Sequence, residues 1–425
     1  MEMMIPQAIM ILTLLVMLSG RAPIYLTAII GSTIAAFAAG FPMTRVPGYE
    51  GIVIADLLRA GLHNVIIDMM GVLLFIGVME RAGFLKIIIV KIMEFGKSFG
   101  GGPGVCTAGG IAAGIIGGMT GFTQPAITAV ITGPPAIELG VDKNKVAGVI
   151  AHAGTLGNFG GFTHPTLVAV MATAGITFGF INIVGIIVGL SIFAASYYRL
   201  TRGMKKEHIA APKAADVDTG LEEETGKSFL TAITPFIVLI VGFVVGIPIV
   251  LVGIASALLV IMMSDRNIIE GEKAMIEGLT RITVPVLATF AFLYMSAVIR
   301  DVGLVDTISN MLEPFLAVAP IILMLLVSSL AGLFTQSNAA AAAIVVPFLT
   351  IVLASGANPF AAAVAAAGGP AIMQYYLTGG PVAALSTVIP VIPGSDLKIA
   401  NRFQRPSILF GLLVLFVIGV VLSFF

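Results

Sequence analysis

Charged residues and cysteine are scarce in this chain of 425 residues, and tryptophan is absent. Charged residues make up 10% of the sequence, whereas a soluble domain has about 25%. The net charge of zero argues against a nucleic-acid-binding surface. The single cysteine, Cys106, excludes an internal disulfide and a multi-cysteine metal cluster. No basic segment precedes the first apolar run, so we expect no cleaved signal peptide.

Apolar residues are abundant: 58% of the chain is hydrophobic and the mean hydropathy is +1.09. This composition predicts an all-α polytopic membrane protein. Apolar runs long enough for membrane segments occur at 3–19, 23–40, 64–80, 103–137, 145–175, 177–198, 229–246, 248–264, 282–299, 315–353, 358–395 and 406–425.

Two related halves are predicted on either side of a polar linker. Residues 78–85 resemble residues 298–305, and in both halves a Thr-Gln pair follows at a later apolar run, Thr123-Gln124 and Thr335-Gln336. We therefore predict a first repeat at 1–199, a cytoplasmic linker at 200–228 and a second repeat at 229–425.

Each half has one long apolar run that a polar stretch interrupts, at 118–125 and 332–338. Lys and Arg in short loops favour the cytoplasm, and basic residues flank the segment 103–137 on both sides. Both of its ends are then cytoplasmic, which predicts a re-entrant hairpin, and we interpret 315–353 as a second hairpin entering from the opposite face. About ten transmembrane helices and two broken helices complete two inverted repeats. Both termini are predicted outside the cytoplasm, and the location is the cell inner membrane.

The interruptions are candidate substrate sites, because non-helical backbone at membrane depth survives only inside protein or beside a water-filled cavity. Half-helix N-termini suit a carboxylate, and exposed carbonyls suit a cation. The candidates at the two tips are Thr120, Thr123, Gln124, Thr335, Gln336, Ser337 and Asn338. The breaks at 157–165 and 368–381 add Asn158, Thr163, His164, Gln374 and Thr378. No Lys or Arg lies in this predicted site.

Three titratable residues are expected at membrane depth: Asp68, His152 and His164. Such residues are functional hypotheses by default, so all three are candidates for the coupling ion. The alternatives are that His152 only bonds to a backbone carbonyl, and that Asp68 only partners a helix end.

The stretch Gly161-Phe162-Thr163-His164-Pro165, followed by Thr-Leu-Val-Ala-Val, resembles the His-Pro stretch of the gluconate permease family. The run 75–83 also resembles that family and the large membrane subunit of binding-protein-dependent (TRAP) carboxylate transporters. The whole architecture is similar to the ion transporter superfamily of carboxylate permeases. This resemblance implies an elevator-type transporter whose hairpins and broken helices move against a scaffold, in a homodimer.

These observations predict a secondary transporter that couples H⁺ or Na⁺ to symport of a small organic anion, such as a carboxylate or sugar acid. One alternative is a Na⁺/H⁺ antiporter of the same superfamily, and another is the membrane subunit of a binding-protein-dependent carboxylate importer. We expect no enzyme activity, since the sequence has no metalloprotease motif and no candidate Ser-Lys dyad. We expect no cofactor other than Na⁺ as a coupling ion.

Overall fold

The structure of the protein is a computed structural model. It describes residues 3–19, 21–120, 125–202, 204, 226–280, 283–377 and 388–425. Within these ranges the regular secondary structure consists of helices alone. The chain is therefore all-helical with many apolar helices, as predicted for a polytopic membrane protein.

The first half contains ten helices in its described residues. They are α1 (Met4–Leu18), α2 (Ile24–Ala38), α3 (Ile54–Ala60), α4 (Val65–Arg81), α5 (Phe84–Thr120), α6 (Pro125–Glu138), α7 (Lys143–Ala151), α8 (Gly154–Gly160), α9 (Pro165–Ala174) and α10 (Phe180–Thr201). Helix α5 bends at Gly100 and Gly101, whose φ angles of 154° and 56° are not helical.

The second half contributes nine α-helices within the described ranges. They are α11 (Phe229–Val245), α12 (Ile249–Met263), α13 (Ile268–Leu279), α14 (Thr283–Asp301), α15 (Leu304–Val318), α16 (Pro320–Thr335), α17 (Asn338–Ala354), α18 (Pro359–Met373) and α19 (Leu397–Leu422). A short 3₁₀ helix, Ile389–Val391, precedes α19.

Polar residues at the loop ends explain where several helices begin. Asp142, Asn358 and Asp396 each accept a backbone N–H from the first turn of α7, α18 and α19, respectively. These side chains satisfy donors that a helix start leaves without a partner. Helix α9 ends at Gly175, whose left-handed φ of 66° favours glycine.

Four helical segments of the described residues are long and apolar enough to cross a membrane: Ile54–Arg81, Gly100–Met119, Phe180–Thr201 and Leu397–Leu422. A bent pair, Val286–Asp301 and Leu304–Val318 at 76°, raises this number to five if it forms one span. Seven more apolar helices have 10–17 residues. The ten crossings expected from the sequence therefore stay a prediction.

Several boundaries differ from those read from the apolar runs. The start expected for the second hairpin, 315, lies inside α15, and α16 begins only at Pro320. The run 145–175, expected to break once at 157–165, forms parts of three helices. Helix α19 begins nine residues before 406, because Asp396 caps it and its polar first turns still pack inside the protein. Hydropathy alone does not reveal a helix whose one face is polar.

The two interrupted runs each form a pair of helices. Helices α16 and α17 are joined through Gln336 and Ser337, and α5 is followed by α6 after the residues 121–124, which lie outside the described ranges. Helix α16 packs against α18, α17 packs against α9, and the end of α5 packs against α6 and α8. Each pair is thus packed against a helix that ends at a predicted break.

Close packing of α5 on the first break depends on glycine. A Cβ atom added to Gly161 would lie 2.4 Å from the Cα of Gly118 and 2.3 Å from the carbonyl oxygen of Gly157. This approach allows the N–H of Phe162 to donate to the carbonyl oxygen of Gly118 at 2.9 Å. Small residues permit such contacts between membrane helices.

We predict that Gly161→Ala lowers the free energy of unfolding by about 1–3 kcal/mol, because the new methyl group forces backbone apart. The measurement is thermal unfolding of the detergent-purified protein. Gly133→Ala on α6 is the control, since its added Cβ would lie no closer than 3.4 Å to the side chain of Ile392. Equal melting temperatures for the two variants would contradict the prediction.

Candidate functional site

The tip between α16 and α17 is held by its own polar side chains. Gln336 has a left-handed backbone with φ 51°, which is unusual for a residue other than glycine. The Oγ1 of Thr335 lies 2.7 Å from the carbonyl oxygen of Ala331 and 3.0 Å from that of Ser337. The Oγ of Ser337 accepts the N–H of Ala340 and caps α17.

Asn338 connects this tip to both predicted breaks. Its backbone N–H donates to Oε1 of Gln374 at 3.0 Å, and its carbonyl oxygen accepts the hydroxyl of Thr166 at 2.9 Å. Its side-chain Nδ2 lies 3.2 Å from Nδ1 of His164. Asn338 is 3% exposed. Its contacts with Gln374 and Thr166 are buried, and its contact with His164 is partly buried. One residue therefore brings the second tip, the first break and the second break together.

His164 begins helix α9 as well as contacting the tip. Its Nδ1 accepts the backbone N–H of Thr166 at 3.3 Å, and Pro165 occupies the first helical position. Because Nδ1 acts as an acceptor, the neutral ring carries its proton on Nε2. Nε2–H is thus the donor that the ring can offer to a bound anion.

The first break also reaches the first hairpin. The buried hydroxyl of Thr163 donates to the carbonyl oxygen of Gly118 at 3.3 Å, near the end of α5. Thr120 is the last residue of α5. The predicted site residues Thr123, Gln124 and Thr378 lie outside the described residues.

The electrostatics of this region come from helix ends. The starts of α9 and α17 meet through the Thr166–Asn338 hydrogen bond, and helix N-termini carry partial positive charge that favours anions. Two buried amide oxygens, Oε1 of Gln336 and Oδ1 of Asn338, have no hydrogen-bond partner in the part of the chain that the structure describes. Unpaired oxygens of this kind can accept a donor or face a cation. Within the described ranges, no group of three His, Cys, Asp or Glu residues could hold a metal.

His152 lies at the other end of α8 and is held on both ring nitrogens. Nδ1 lies 2.6 Å from the carbonyl oxygen of Gly148, and Nε2 lies 3.3 Å from Nδ2 of Asn401. The ring also packs against Tyr375 with centroids 5.5 Å apart. The structure thus places His152 beside the second break, bonded to a backbone carbonyl as the structural alternative predicted.

Asn158 and Asp68 have different surroundings. The side chain of Asn158 lies next to that of Tyr375, so it too contacts the second break. The side chain of Asp68 lies next to the backbone of Val250, in the first turn of α12. A carboxylate at a helix N-terminus is stabilising, and this contact joins Asp68 to α12 rather than to the tips or breaks.

Two residues on α19 were missed from the sequence. Asn401 donates to the carbonyl oxygen of Tyr375 at 3.0 Å, and Nε of Arg405 lies 3.0 Å from the carbonyl oxygen of Tyr376. The expectation that no Lys or Arg lies at the site is therefore corrected: Arg405 contacts the second break directly. Arg405 follows Asn401 by four residues, so both lie on one face of α19. This spacing would have indicated both residues if the helix had been predicted to begin at 397 instead of 406.

No protein-family model and no curated protein matches this sequence. Two solved structures do share its fold. The YdaH transporter of Alcanivorax borkumensis is 16% identical, with a TM-score of 0.61 over 99% of this chain and 98% of that chain. MtrF of Neisseria gonorrhoeae, described among antimetabolite efflux pumps, is 12% identical, with a TM-score of 0.61 over 99% of this chain and 95% of that one. The chain therefore has a fold found in membrane transporters.

We predict that Thr166→Val destabilises the protein by about 1–2 kcal/mol, because the carbonyl oxygen of Asn338 loses its buried partner. Thr173→Val on the same helix is the matched control, since its hydroxyl bonds only to the carbonyl oxygen of Ala169 one turn earlier. The measurement is the difference in melting temperature in detergent. A control that melts as low as Thr166→Val would show that the contact between α9 and α17 contributes nothing specific.

Proposed function

We propose that this protein is a secondary active transporter that couples H⁺ or Na⁺ to symport of a small organic anion, such as a carboxylate or sugar acid. The observation that supports the proposal most directly is Asn338, which joins one hairpin tip to both broken helices. Likeness in fold to two transporters supports the general class. A carrier needs a site formed by elements that move together, and a tip bonded to two breaks meets that need.

An anion is the cargo that these groups suit. The N-termini of α9 and α17 meet at the site, and Nε2–H of His164 is a further donor there. Peptide N–H groups and helix dipoles at such ends favour a carboxylate without a full positive charge. The substrate-binding residues we propose are those predicted from the sequence at the tips and breaks.

The coupling cation is proposed to bind to oxygen atoms that do not contact the anion. Oε1 of Gln336 and Oδ1 of Asn338 are buried without a partner, and helix C-terminal carbonyls lie at the same tip. These groups suit Na⁺, whereas His164 suits a proton because histidine changes charge near physiological pH. His152 is less suited to coupling, since its ring is buried and bonded to a backbone carbonyl, whereas His164 is partly exposed.

Movement is proposed to follow the elevator scheme, with inverted repeats at 1–199 and 229–425 and a scaffold that forms a homodimer. The packing of hairpins on broken helices supports a mobile unit. An apolar cavity of about 420 Å³ separates Gly118 and Leu156 of this unit from Phe236 of α11. A loosely filled apolar boundary of this kind would let the unit slide against its neighbour.

The alternative of a Na⁺/H⁺ antiporter depends on an acidic group at the ion site. Asp68, the acidic candidate, is engaged with the first turn of α12, which weakens that alternative. Neither matched structure is described as a gluconate permease or a TRAP subunit, so that narrower resemblance stays a prediction. A requirement for a separate binding protein would be revealed by uptake that depends on a soluble component.

We predict that His164→Ala lowers anion transport at least about tenfold, which corresponds to 1.4 kcal/mol. Purified protein in proteoliposomes would be offered labelled succinate, lactate and gluconate under imposed H⁺ or Na⁺ gradients, with uptake and release both recorded. His63→Ala is the matched control, because Nδ1 of His63 accepts the N–H of Val65 at 3.2 Å just as His164 accepts that of Thr166. Both variants lose a helix-capping bond, but only one loses the contact to Asn338.

Cation exchange without movement of any organic anion would overturn the proposed function. Normal transport by His164→Ala would remove His164 from the site while leaving the carrier class standing. A gradient of Na⁺ that drives uptake at constant pH would identify Na⁺ as the coupling ion, and a pH gradient that drives it without Na⁺ would identify H⁺.

We also predict the membrane topology, with the linker in the cytoplasm and both termini outside it. In a Cys106→Ala background, Ser423→Cys should react with a membrane-impermeant maleimide in intact cells, and Ser228→Cys only after permeabilisation. Both serines lie at least partly exposed. The wild-type protein, which keeps Cys106, is the control, because this buried cysteine should stay unlabelled. Labelling of the two positions from the same side would contradict the predicted topology.

A further inference from the structure

Arg405 is a cationic side chain whose role the site described so far does not include. Its Nε donates to the carbonyl oxygen of Tyr376 at 3.0 Å and lies 3.2 Å from Oδ1 of Asn401. Its guanidinium lies over the ring of Tyr376, 5.4 Å from the centroid. These contacts hold the plane of the guanidinium in one orientation.

The outer edge of that guanidinium has no partner among the described residues. An arginine has five N–H donors, and Arg405 uses only the one on Nε in its hydrogen bonds. No described Asp or Glu forms an ion pair with it. The two terminal nitrogens form the edge that binds a carboxylate in two parallel hydrogen bonds.

Arg405 combines a fixed guanidinium with partial exposure. It follows Leu397, the first residue of α19, by eight positions, and its side chain is partly exposed. Asn401, one turn earlier, is fully buried and lies 3.3 Å from Nε2 of His152. The guanidinium is thus positioned by a buried polar group and stays accessible to a ligand.

The backbone that Arg405 contacts adjoins the proposed substrate site. Gln374, which binds the N–H of Asn338, and Tyr376, which binds Arg405, are separated by one residue. Their Cα atoms are at most about 7.6 Å apart, since consecutive Cα atoms are 3.8 Å apart. The residue between them, Tyr375, contacts Asn158 on the first broken helix. The stretch 374–376 therefore connects the hairpin tip to Arg405.

We infer that Arg405 binds an anionic group of the substrate through its terminal guanidinium edge and thereby selects charged over neutral cargo. The inference rests on the proposed function, because it assigns a specificity residue to the same site. Tyr376 and Asn401 orient the guanidinium, and the substrate supplies the counter-charge that the protein lacks there. A neutral analogue of the same size leaves this charge unpaired, so it binds weakly.

A structural role for Arg405 makes a different prediction. An arginine near a helix C-terminus can bond to the last carbonyl groups, and Tyr376 follows the end of α18 closely. Arg199 makes comparable contacts elsewhere: it donates to the carbonyl oxygen of Phe403 at 3.0 Å and lies 4.9 Å from the ring centroid of the same residue. It has the same pair of contacts as Arg405 but bonds to α19 itself, away from the second break. Arg199→Gln is therefore the matched control.

The test measures binding of succinate, lactate and gluconate to the full-length detergent-purified protein by calorimetry, each compared with its neutral amide. The wild type should bind at least one acid and should bind the corresponding amide weakly. Arg405→Gln should raise the Kd of that acid ten- to hundredfold and leave the amide unchanged, so that discrimination is lost. Arg405→Lys should recover part of the affinity, because it keeps the charge without the planar edge. In proteoliposomes, KM for the acid should rise more than kcat falls.

Each outcome separates this inference from the proposal on which it rests. An Arg405→Gln variant that binds the acid with wild-type Kd, or loses affinity no more than Arg199→Gln does, overturns the role of Arg405 and leaves the transporter standing. A wild type that binds none of the acids overturns the proposed function and this inference with it. If Arg405→Gln fails to fold, Arg405→Lys decides: an unchanged ratio of acid to amide affinity overturns the inference.

Discussion

The rest of this structure depends on one constraint. The backbone N–H and C=O groups at four helix interruptions must find hydrogen-bond partners inside the protein. Where a helix stops inside an apolar protein, its terminal N–H and C=O groups have no water to bond to. Here the interruptions satisfy one another. The carbonyl oxygen of Gly118 accepts from Phe162 and Thr163, and Asn338 donates to Gln374 and accepts from Thr166. Each hairpin thus supplies hydrogen-bond partners that the facing break requires.

This mutual satisfaction accounts for the unusual residues at the tips. Glycine at 118 and 161 permits two backbones to approach within bonding distance, and Gln336 accepts a left-handed conformation so that α17 can begin at once. The same bonds engage many of the polar groups and leave a few unpaired, notably the amide oxygens of Gln336 and Asn338. The polar groups at the second tip are therefore neutral, and helix N-termini supply the positive potential there.

The arrangement of charge around this neutral region follows from the same packing. Helix α19 lies against α7, α10 and α18, and its polar first turns carry Asn401 and Arg405 to the second break. His152 joins this group through Asn401. Histidine and arginine thus lie on the side of Tyr375 and Tyr376, while His164 lies at the hairpin tip. The proposed anion would be bound between helix N-termini and a single guanidinium.

The sequence by itself determined the class of molecule, since 58% hydrophobic and 10% charged residues cannot form an ordinary soluble domain. It also predicted the interruptions, and it selected His164, Asn338 and Gln374, which the structure brings into contact, because polar residues beside glycine or proline rarely occur within an apolar run unless a helix is broken there. The amphipathic helices α13 and α15, the early start of α19 and the role of Arg405 could not be predicted in this way. Hydropathy averages over all faces of a helix, whereas a half-buried arginine is defined by the one face that meets another segment. Only the tertiary structure decided that Asp68 lies beside α12, that His152 reaches Asn401, and that Arg405 reaches the second break, because each contact joins residues that are distant in the chain.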